Sequence, residues 1–398
     1  MSRIDHLDLK DYLIFLHLEQ NPSLSNNALA KIIGISAESV RIRIIAMKSK
    51  GFLRQDRTIS DPLLGERLQT AFEAHYIPSA LGLIRQHVIF RGIRNRAELN
   101  TLKNICDEHP YTHYRTTAFN YNASLYAQFD IPPEITQQMK KMYRHLQDLD
   151  LFEDFIVIQS PQIAKSPADF QRWNQEEQQW TLSPDIKYNS TTKSSGLENI
   201  WIHFLESRPQ ELPNKKYFSI VHKLDDLDMI LLRELTINSR LNIKRLAKIY
   251  DKDATTLSRR IKKIRKNIAP VILLYYNRSV FDLTYPQIIT GNFKSGEDFT
   301  PKSFSSFIHS GELPFECSVV IEGNAFLLYQ TTPPSIASEF SEFIWDHAEN
   351  IAVFQLQLNA AFTYYFYHEN YDGKGKWKVD DGYILDPILS KNRAFSKN

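Results

Sequence analysis

The chain contains 398 residues, which at roughly 100–200 residues per domain leaves room for two to four domains. Hydrophobic residues make up 42% and charged residues 24%, an ordinary globular composition that excludes a disordered chain or a coiled-coil rod. The 48 Lys and Arg residues nearly balance the 46 Asp and Glu residues, for a formal net charge of +2. Any attraction for a polyanion must therefore come from a local basic patch.

Cysteine usage and the first residues indicate the compartment. Only Cys106 and Cys317 occur, without a CxxC pair or an HExxH helix, so the sequence favours neither a disulfide scaffold nor a metal cage. The opening MSRIDHLDLKD is charged where a signal peptide would be apolar, and the longest apolar run, 271–276, is far shorter than the roughly 20 residues of a membrane span. We expect a soluble cytoplasmic protein with no membrane partner and no cofactor.

The sequence repeats itself. When the chain is slid along itself until Leu7 meets Leu224, 7–48 aligns with 224–265, and thirteen of these 42 positions are identical. Further along the chain the best shift is smaller, and there Asn122-Ala123 aligns with Asn324-Ala325. An ordered series of matches with a shrinking shift predicts a tandem duplication, with copies over about 1–180 and 217–380.

Each copy begins with a predicted helix-turn-helix. In the first copy, leucines at helical spacing predict a helix over 8–20, and Ser25 is placed to cap a second, short helix. Ser36 is placed to cap a third helix that ends at Gly51, and a wing strand is predicted to begin at Phe52. The second copy shows the same pattern.

The third helix of the second copy is strongly basic. Its predicted core stripe is Leu257, Ile261 and Ile264. The positions outside that stripe are Ser258, Arg259, Arg260, Lys262, Lys263, Arg265 and Lys266. Cations clustered on one helix face are typical of phosphate binding, and a merely solvated basic face is the alternative.

The third helix of the first copy differs on its outer face. Opposite its core stripe of Val40, Ile44 and Met47 lie two isoleucines, Ile42 and Ile45, which could contact thymine methyl groups or pack against another domain. We favour packing. The candidate DNA-binding residues of the two helices are Ser36, Glu38, Ser39, Arg41, Arg43, Lys48, Thr255, Thr256, Ser258, Arg259, Arg260, Lys262, Lys263 and Lys266.

The second part of each copy is predicted to be a βαββαβ domain. In the first copy the elements are predicted at 86–90, 95–107, 112–118, 122–129, 133–146 and 153–159. In the second copy they are predicted at 287–291, 301–308, 316–322, 325–330, 336–348 and 352–358. Both helices then cover one face of a four-stranded sheet, so we expect the free faces of two such sheets to pack together.

These elements predict an α+β chain with two winged helix-turn-helix domains and two ferredoxin-like domains in tandem. Trp173 and Trp180 are interpreted as anchors that pack the linker on the preceding domain, in preference to a ligand-stacking role. The predicted segments are 1–60 (winged helix 1), 61–83 (hinge), 84–160 (sensor 1), 161–216 (linker), 217–275 (winged helix 2), 276–360 (sensor 2) and 361–398 (tail).

The run SAESVRIRIIAMKSKGFL, residues 36–53, resembles the recognition helix of the Lrp/AsnC, or feast/famine, regulators. Leu7-Asp8 resembles the opening of that family, and Asp61-Pro62 with Leu64-Gly65 resembles its hinge. The resemblance, which we assign to the archaeal type, implies a winged helix joined by a hinge strand to a βαββαβ ligand-sensing domain. It also implies a dimeric or higher transcription regulator.

The same resemblance directs attention to the turn between the second and third sensor strands. The family's effector lies near this turn, where a Gly and an Asp are usual. Here the turns end in Asn122 and Asn324, which become candidate effector-binding residues. We favour a structural role for both, capping a hairpin turn.

We therefore predict a sequence-specific regulator that binds double-stranded DNA. A small-molecule effector and a homo-oligomer remain open. One alternative is a tetrapyrrole enzyme similar to siroheme decarboxylases, because His113, Tyr114 and Arg115 resemble residues that handle a tetrapyrrole there. Those three residues alternate between the faces of one strand, so we expect that the chain is not an enzyme. A DNA-free interaction scaffold is the other alternative.

Overall fold

The computed structural model describes residues 7–61, 65–159, 163–166, 168–181, 219–294, 300–309 and 313–385. Helices and strands both occur throughout, which confirms the predicted mixed α and β class. The chain divides into two compact units, a head unit and a sheet unit. The head unit comprises the described parts of Met1–Ile77, Asp169–Leu182 and Asp226–Leu283, and the sheet unit those of Pro78–Ala168, Ser183–Asp225 and Thr284–Asn398. Each unit draws on both halves of the chain.

The elements follow one another in a mixed order. The helices are α1 Leu9–Gln20, α2 Asn26–Ile33, α3 Ala37–Ser49, α4 Arg96–Glu108, α5 Thr136–Asp148, α6 Asp226–Ile237, α7 Ile243–Ile249, α8 Ala254–Asn267, α9 Pro301–His309, α10 Pro334–His347 and α11 Asp381–Ile384. The strands are β1 Arg57–Asp61, β2 Gly65–Gln69, β3 Phe72–His75, β4 Ile84–Ile93, β5 Thr112–Phe119, β6 Ala123–Ile131, β7 Asp154–Gln159, β8 Ile163–Ser166, β9 Trp173–Asn174, β10 Gln179–Trp180, β11 Val271–Leu274, β12 Tyr285–Phe293, β13 Cys317–Glu322, β14 Ala325–Thr332, β15 Ala348–Leu356 and β16 Phe362–Thr363.

The first head is formed by α1–α3, and side-chain caps start each of its helices. Asp8, Ser25 and Ser36 each accept a hydrogen bond from the backbone N–H three residues later, at 2.8, 3.2 and 3.0 Å. These bonds satisfy N–H groups that the first helical turn leaves without a partner. The predicted N-terminal helix-turn-helix is confirmed. The buried stripe of α3 is Val40, Ile44 and Met47.

The second head is formed by α6–α8. Asn242 caps α7 by accepting the Arg245 N–H at 3.1 Å, and Asp253 caps α8 by accepting the Thr256 N–H at 2.8 Å. One face of α8 is buried, and the other faces solvent. The buried positions are Leu257, Ile261 and Ile264.

Strands that follow the two heads pair with each other within the head unit. β3 pairs antiparallel with β11, and Leu53 forms a single bridge with Tyr276. The carbonyl of Phe52 accepts the Asn277 N–H at 2.8 Å. The prediction of a wing strand from Phe52 is therefore wrong in detail, because this segment is buried against the other head. The regular hairpin, β1–β2, begins only at Arg57.

Hairpin β1–β2 follows the first head in sequence, yet it is anchored on the second head. Arg67 Nε donates to Glu234 Oε1 of α6 at 2.6 Å, and these side chains are only 8% and 5% exposed. The Tyr250 hydroxyl, just after α7, donates to the same carboxylate oxygen at 2.6 Å. The guanidinium carbon of Arg240 lies 3.6 Å from the centroid of the Phe72 ring and adds a further contact between the heads.

The segment predicted as a linker takes part in both units. β8 pairs with β13 in the sheet unit. Trp180 Nε1 donates to the Phe281 carbonyl at 2.7 Å, and the Trp173 and Trp180 rings lie 5.4 Å apart beside Phe170. Both tryptophans thus pack in the head unit, which corrects the prediction that they pack on the preceding domain. Residues 161–162, 167 and 182–216 of the predicted linker lie outside the described residues.

The sheet unit has the strand order β7-β4-β6-β5-β15-β12-β14-β13-β8. Two series of elements in it, β4-α4-β5-β6-α5-β7 and β12-α9-β13-β14-α10-β15, have the order βαββαβ. The faces of the two series share one apolar core. This core contains Ile89, Ala118, Tyr126, Ile158, Ile288, Val320, Leu327, Phe354 and Leu356.

Residues 361–385 pack on the sheet unit. β16 pairs with β5, where Phe362 lies opposite Arg115. Trp377 Nε1 donates to the Leu81 carbonyl at 2.8 Å, and this bond holds the chain around Trp377 on the sheet unit. The first part of the predicted C-terminal tail, 361–385, is thus in contact with the sheet unit, and 386–398 lie outside the described residues.

Candidate nucleic-acid interface

The solvent face of α8 carries one continuous row of polar side chains. Thr255, Arg259, Lys262 and Lys266 are all exposed, and their spacing of four, three and four residues places them on one stripe of the helix. Lys263 is exposed beside that stripe. In the described part of the chain, no ion pair is formed by any of the four cations Arg259, Lys262, Lys263 and Lys266. We call Thr255, Arg259, Lys262 and Lys266 the cationic stripe.

Other cations of α8 point inward and hold the second head together. Arg260 donates to Asp228 of α6 at 2.8 Å, and that carboxylate is only 6% exposed. Arg265 donates to the Ser239 carbonyl, and burial lowers the pKa of its guanidinium. The structure therefore places Arg260, a candidate DNA-binding residue, in a structural ion pair. Thr256 and Ser258 are only partly exposed.

The candidate cations of α3 are all engaged with carboxylates. Arg41 binds both oxygens of Glu38 at 2.5 and 2.8 Å. Arg43 Nη1 donates to Asp8 at 2.6 Å and to Asp11 at 2.7 Å. The ammonium group of the remaining lysine, Lys48, donates to Asp56 at 2.7 Å. Two further candidates, Ser36 and Ser39, share a 2.8 Å hydrogen bond at the start of the helix.

Ile42 and Ile45 lie on the outer face of α3. The prediction that they are buried against another domain is wrong for the described residues, because they are 54% and 51% exposed. The alignment of the two copies places them on Arg259 and Lys262. The first head thus presents apolar surface where the second head presents cations.

The two candidate effector residues lie in hairpin turns of the sheet unit. The Asn122 carbonyl accepts the Asn120 N–H at 3.2 Å. Asn324 Nδ2 donates to the Phe293 carbonyl at 2.9 Å, and the preceding Gly323 has a φ of 61°. That left-handed conformation suits glycine at the turn.

A buried polar cluster lies on the inner face of β4 and β6, in the sheet unit. Gln128 Nε2 donates to the Tyr126 hydroxyl at 2.7 Å, and that hydroxyl lies 2.6 Å from His87 Nδ1. His87 Nε2, on the other side of the ring, has no hydrogen-bond partner in the described part of the chain.

An ion pair and a second histidine complete this cluster. Arg85 binds both oxygens of Asp130 at 2.7 Å, and His113 Nδ1 lies 3.5 Å from the same carboxylate. Burial, together with the nearby Arg85 charge, lowers the pKa of His87 and of His113 to about 3. Both rings are therefore neutral near pH 7.

The residues that suggested a tetrapyrrole enzyme are not all brought together. His113 joins the buried cluster, whereas Arg115 binds Asp107 of α4 at 2.5 Å and contacts Tyr364. Tyr114 packs edge-on against Tyr126, with ring centroids 5.9 Å apart. The sequence analysis missed Arg85, His87 and Asp130, although polar residues at alternate positions of apolar strands were a visible signal.

No group of three or more His, Cys, Asp or Glu side chains in the described residues could hold a metal ion. Both Cys106 and Cys317 are buried. Among the described helices, none is both long and apolar enough to cross a membrane.

Comparison with known proteins gives one family match and several structural likenesses. Residues 7–54 match the family model described as winged helix-turn-helix DNA-binding. No curated protein matches the chain. The siroheme decarboxylase NirDL is similar over 96% of this chain and 99% of its own, with 11% identity and a TM-score of 0.48. AsnC of E. coli is similar over 40% of this chain and 94% of its own, with 19% identity and a TM-score of 0.28.

The likeness to NirDL corrects one prediction. We expect from the sequence that the chain is not an enzyme, and that exclusion is wrong because the likeness spanning 96% of the chain is to a decarboxylase. At 11% identity the likeness concerns the fold alone.

Proposed function

We propose that the chain is a transcription regulator of the Lrp/AsnC type that binds double-stranded DNA through α8. One observation carries the proposal, namely the exposed cationic stripe on the third helix of a helix-turn-helix. This is the helix that enters the major groove in proteins built on that motif. Residues 7–54, in the first head, match a DNA-binding family model, which supports the assignment of the motif.

The charges of α8 suit a duplex. Three cations of the stripe and Lys263 lie along one side of a helix of 14 residues, and the uncharged Thr255 lies near its start. Lys and Arg on such a helix reach phosphates, while a hydroxyl near the N-terminus reaches base edges. Neutralising phosphates releases counterions, so this binding depends on salt.

Fluorescence anisotropy with a labelled 30-base-pair duplex tests the proposal. We expect binding that weakens steeply between low and moderate salt, with a slope of log K against log salt of about −0.9 for each phosphate contacted. A salt-independent affinity, or no binding at low salt, would contradict the proposal.

A second candidate function is the binding of a small molecule in the sheet unit. The buried Nε2 of His87 has no hydrogen-bond partner among the described residues, and an unpaired buried polar atom is costly. A polar ligand would supply that partner, whether it acts as an effector or as the substrate of a tetrapyrrole enzyme.

Haem, which carries two carboxylates, is a suitable probe for this second candidate. We expect a saturable change in the visible spectrum of haem on adding the protein, and a weaker one with His87→Phe, which keeps a planar ring but loses the ring nitrogens. A spectral change that does not saturate with the unaltered protein would contradict a ligand role for His87. Equal haem affinities for the unaltered protein and His87→Phe would also contradict it.

We further infer that the two heads and the two βαββαβ series are tandem copies of one ancestral unit. The shared order of elements and the aligned identities between 7–48 and 224–265 support this inference. We propose the segment boundaries predicted from the sequence as the limits of these copies. We also propose that the chain forms a homo-oligomer.

A further inference from the structure

We propose that each chain reads a single half-site of duplex DNA, through α8 of the second head, and that α3 of the first head makes no contact with phosphates. This inference rests on the proposed function. It assigns unequal roles to the two helix-turn-helix motifs and so fixes how many chains a two-fold operator requires.

The outer stripes of the two helices are opposite in character. In the alignment of the two copies, the cationic stripe of α8 corresponds to Glu38, Ile42, Ile45 and Ser49 of α3. Glu38 thus replaces the uncharged Thr255, and two half-exposed isoleucines and Ser49 replace three cations that form no ion pair with any described residue. An α3 laid in the major groove would bring Glu38 towards phosphates and leave no cation on the central stripe to offset it.

The remaining cations of α3 are committed to carboxylates. Arg41 makes two charge-assisted bonds to Glu38, and Lys48 makes two to Asp56. Recruiting Arg41 or Lys48 to a phosphate would leave its carboxylate partner exposed beside the DNA. Since like charges repel, the gain from the new contact would be largely cancelled.

The inner faces of the heads are alike, so the difference is confined to the surface. Arg43 of α3 bonds to Asp11 of α1 at 2.7 Å, and Arg260 of α8 bonds to Asp228 of α6 at 2.8 Å. These two pairs occupy equivalent positions in the alignment of the copies. The first head therefore keeps the ion pair that joins its helices and lacks only the outer charges. The first head thus keeps its fold but lacks a phosphate-binding face. This fits a structural role, in which it packs against the second head through the pairing of β3 with β11.

A consequence for assembly follows. Helix-turn-helix proteins bind two half-sites about 34 Å apart by presenting two reading helices. With one reading helix per chain, a two-fold site needs two copies of this chain. If α3 and α8 both read DNA, a single copy would suffice.

Charge reversal on the exposed stripes tests the inference. In about 0.15 M salt, where charges are screened beyond about 8 Å, we expect Ile42→Glu with Ile45→Glu to change duplex affinity by less than threefold. The matched variant of the second head, Arg259→Glu with Lys262→Glu, should lose more than 100-fold. A loss of tenfold or more from the first-head variant would overturn the inference while leaving DNA binding itself established.

Two further measurements keep the test independent of folding defects. Arg41→Ala with Lys48→Ala should leave both the affinity and the salt slope unchanged. Hydroxyl-radical footprinting under conditions of one chain per duplex should show one protected patch. Two patches about ten base pairs apart from a single chain would overturn the inference, whereas failure of the unaltered protein to bind any duplex would instead refute the proposed function.

Discussion

Replacing Arg259 and Lys262 by Ala weakens duplex binding on the order of 100-fold, because each lost charge-assisted bond to a phosphate costs about 1.5 kcal/mol, roughly a factor of ten. Both side chains are exposed on the cationic stripe of α8, and neither has an ion-pair partner within the described residues. Both are therefore available to DNA without breaking a protein contact. The slope of log K against log salt should fall in magnitude by about 1.8, since two phosphate contacts disappear.

The matched control for this variant is Lys140→Ala with Lys141→Ala on α5 of the sheet unit. These lysines are also exposed and form no ion pair with any described residue, so the control removes the same charge from a surface to which we assign no DNA contact. We expect the control to change affinity by less than threefold. Similar losses from the two double variants would show that net charge, and not the cationic stripe, drives binding.

Removing Arg67 lowers the free energy of unfolding by about 3–5 kcal/mol, the range typical when one partner of a buried ion pair is lost. Arg67→Ala leaves the Glu234 carboxylate, 5% exposed, with the Tyr250 hydroxyl as its remaining donor in the head unit. The unpaired buried charge causes the loss. Denaturant unfolding followed by tryptophan fluorescence measures it, because Trp173 and Trp180 are buried in the same unit.

Two companion variants make this prediction specific. Arg67→Met with Glu234→Leu removes both charges and should be clearly less destabilising than Arg67→Ala alone. Arg41→Ala removes a partner of an exposed, solvent-screened pair and should change stability far less than Arg67→Ala. A loss below about 1 kcal/mol for Arg67→Ala would mean that hairpin β1–β2 is not held on the second head by this pair.

The sequence predicted those parts of the fold that depend on neighbouring residues. Caps such as Ser25 and Ser36 act over three residues, and helix stripes such as 257, 261 and 264 repeat within two turns, so both are visible in a short window. The pairing of β3 with β11 joins segments from opposite halves of the chain, and no local pattern encodes it. The wing was misplaced for this reason, because Phe52 and Leu53 pair with the distant 276–277 region.

The candidate site also has one part that the sequence predicted and another part that depends on contacts between distant residues. Periodicity identified the outer cations of α8, but it could not show that Arg260 turns inward to Asp228. The bond from Arg43 to Asp11 joins α3 to α1, and no local pattern predicts it. His87 and Asp130 become neighbours only when β4 pairs with β6, so the buried cluster required the assembled sheet.

The interleaved construction of the two units bears on how the chain is synthesised. The inner face of the first βαββαβ series, including Ile89 and Tyr126, is covered by strands that end at Leu356. The ribosome adds about 190 residues between Ser166 and Leu356, which takes on the order of 10–40 s at ordinary elongation rates. During that interval the nascent sheet exposes a large apolar surface, so production of this chain depends on chaperone protection more than that of a protein whose domains close one after another.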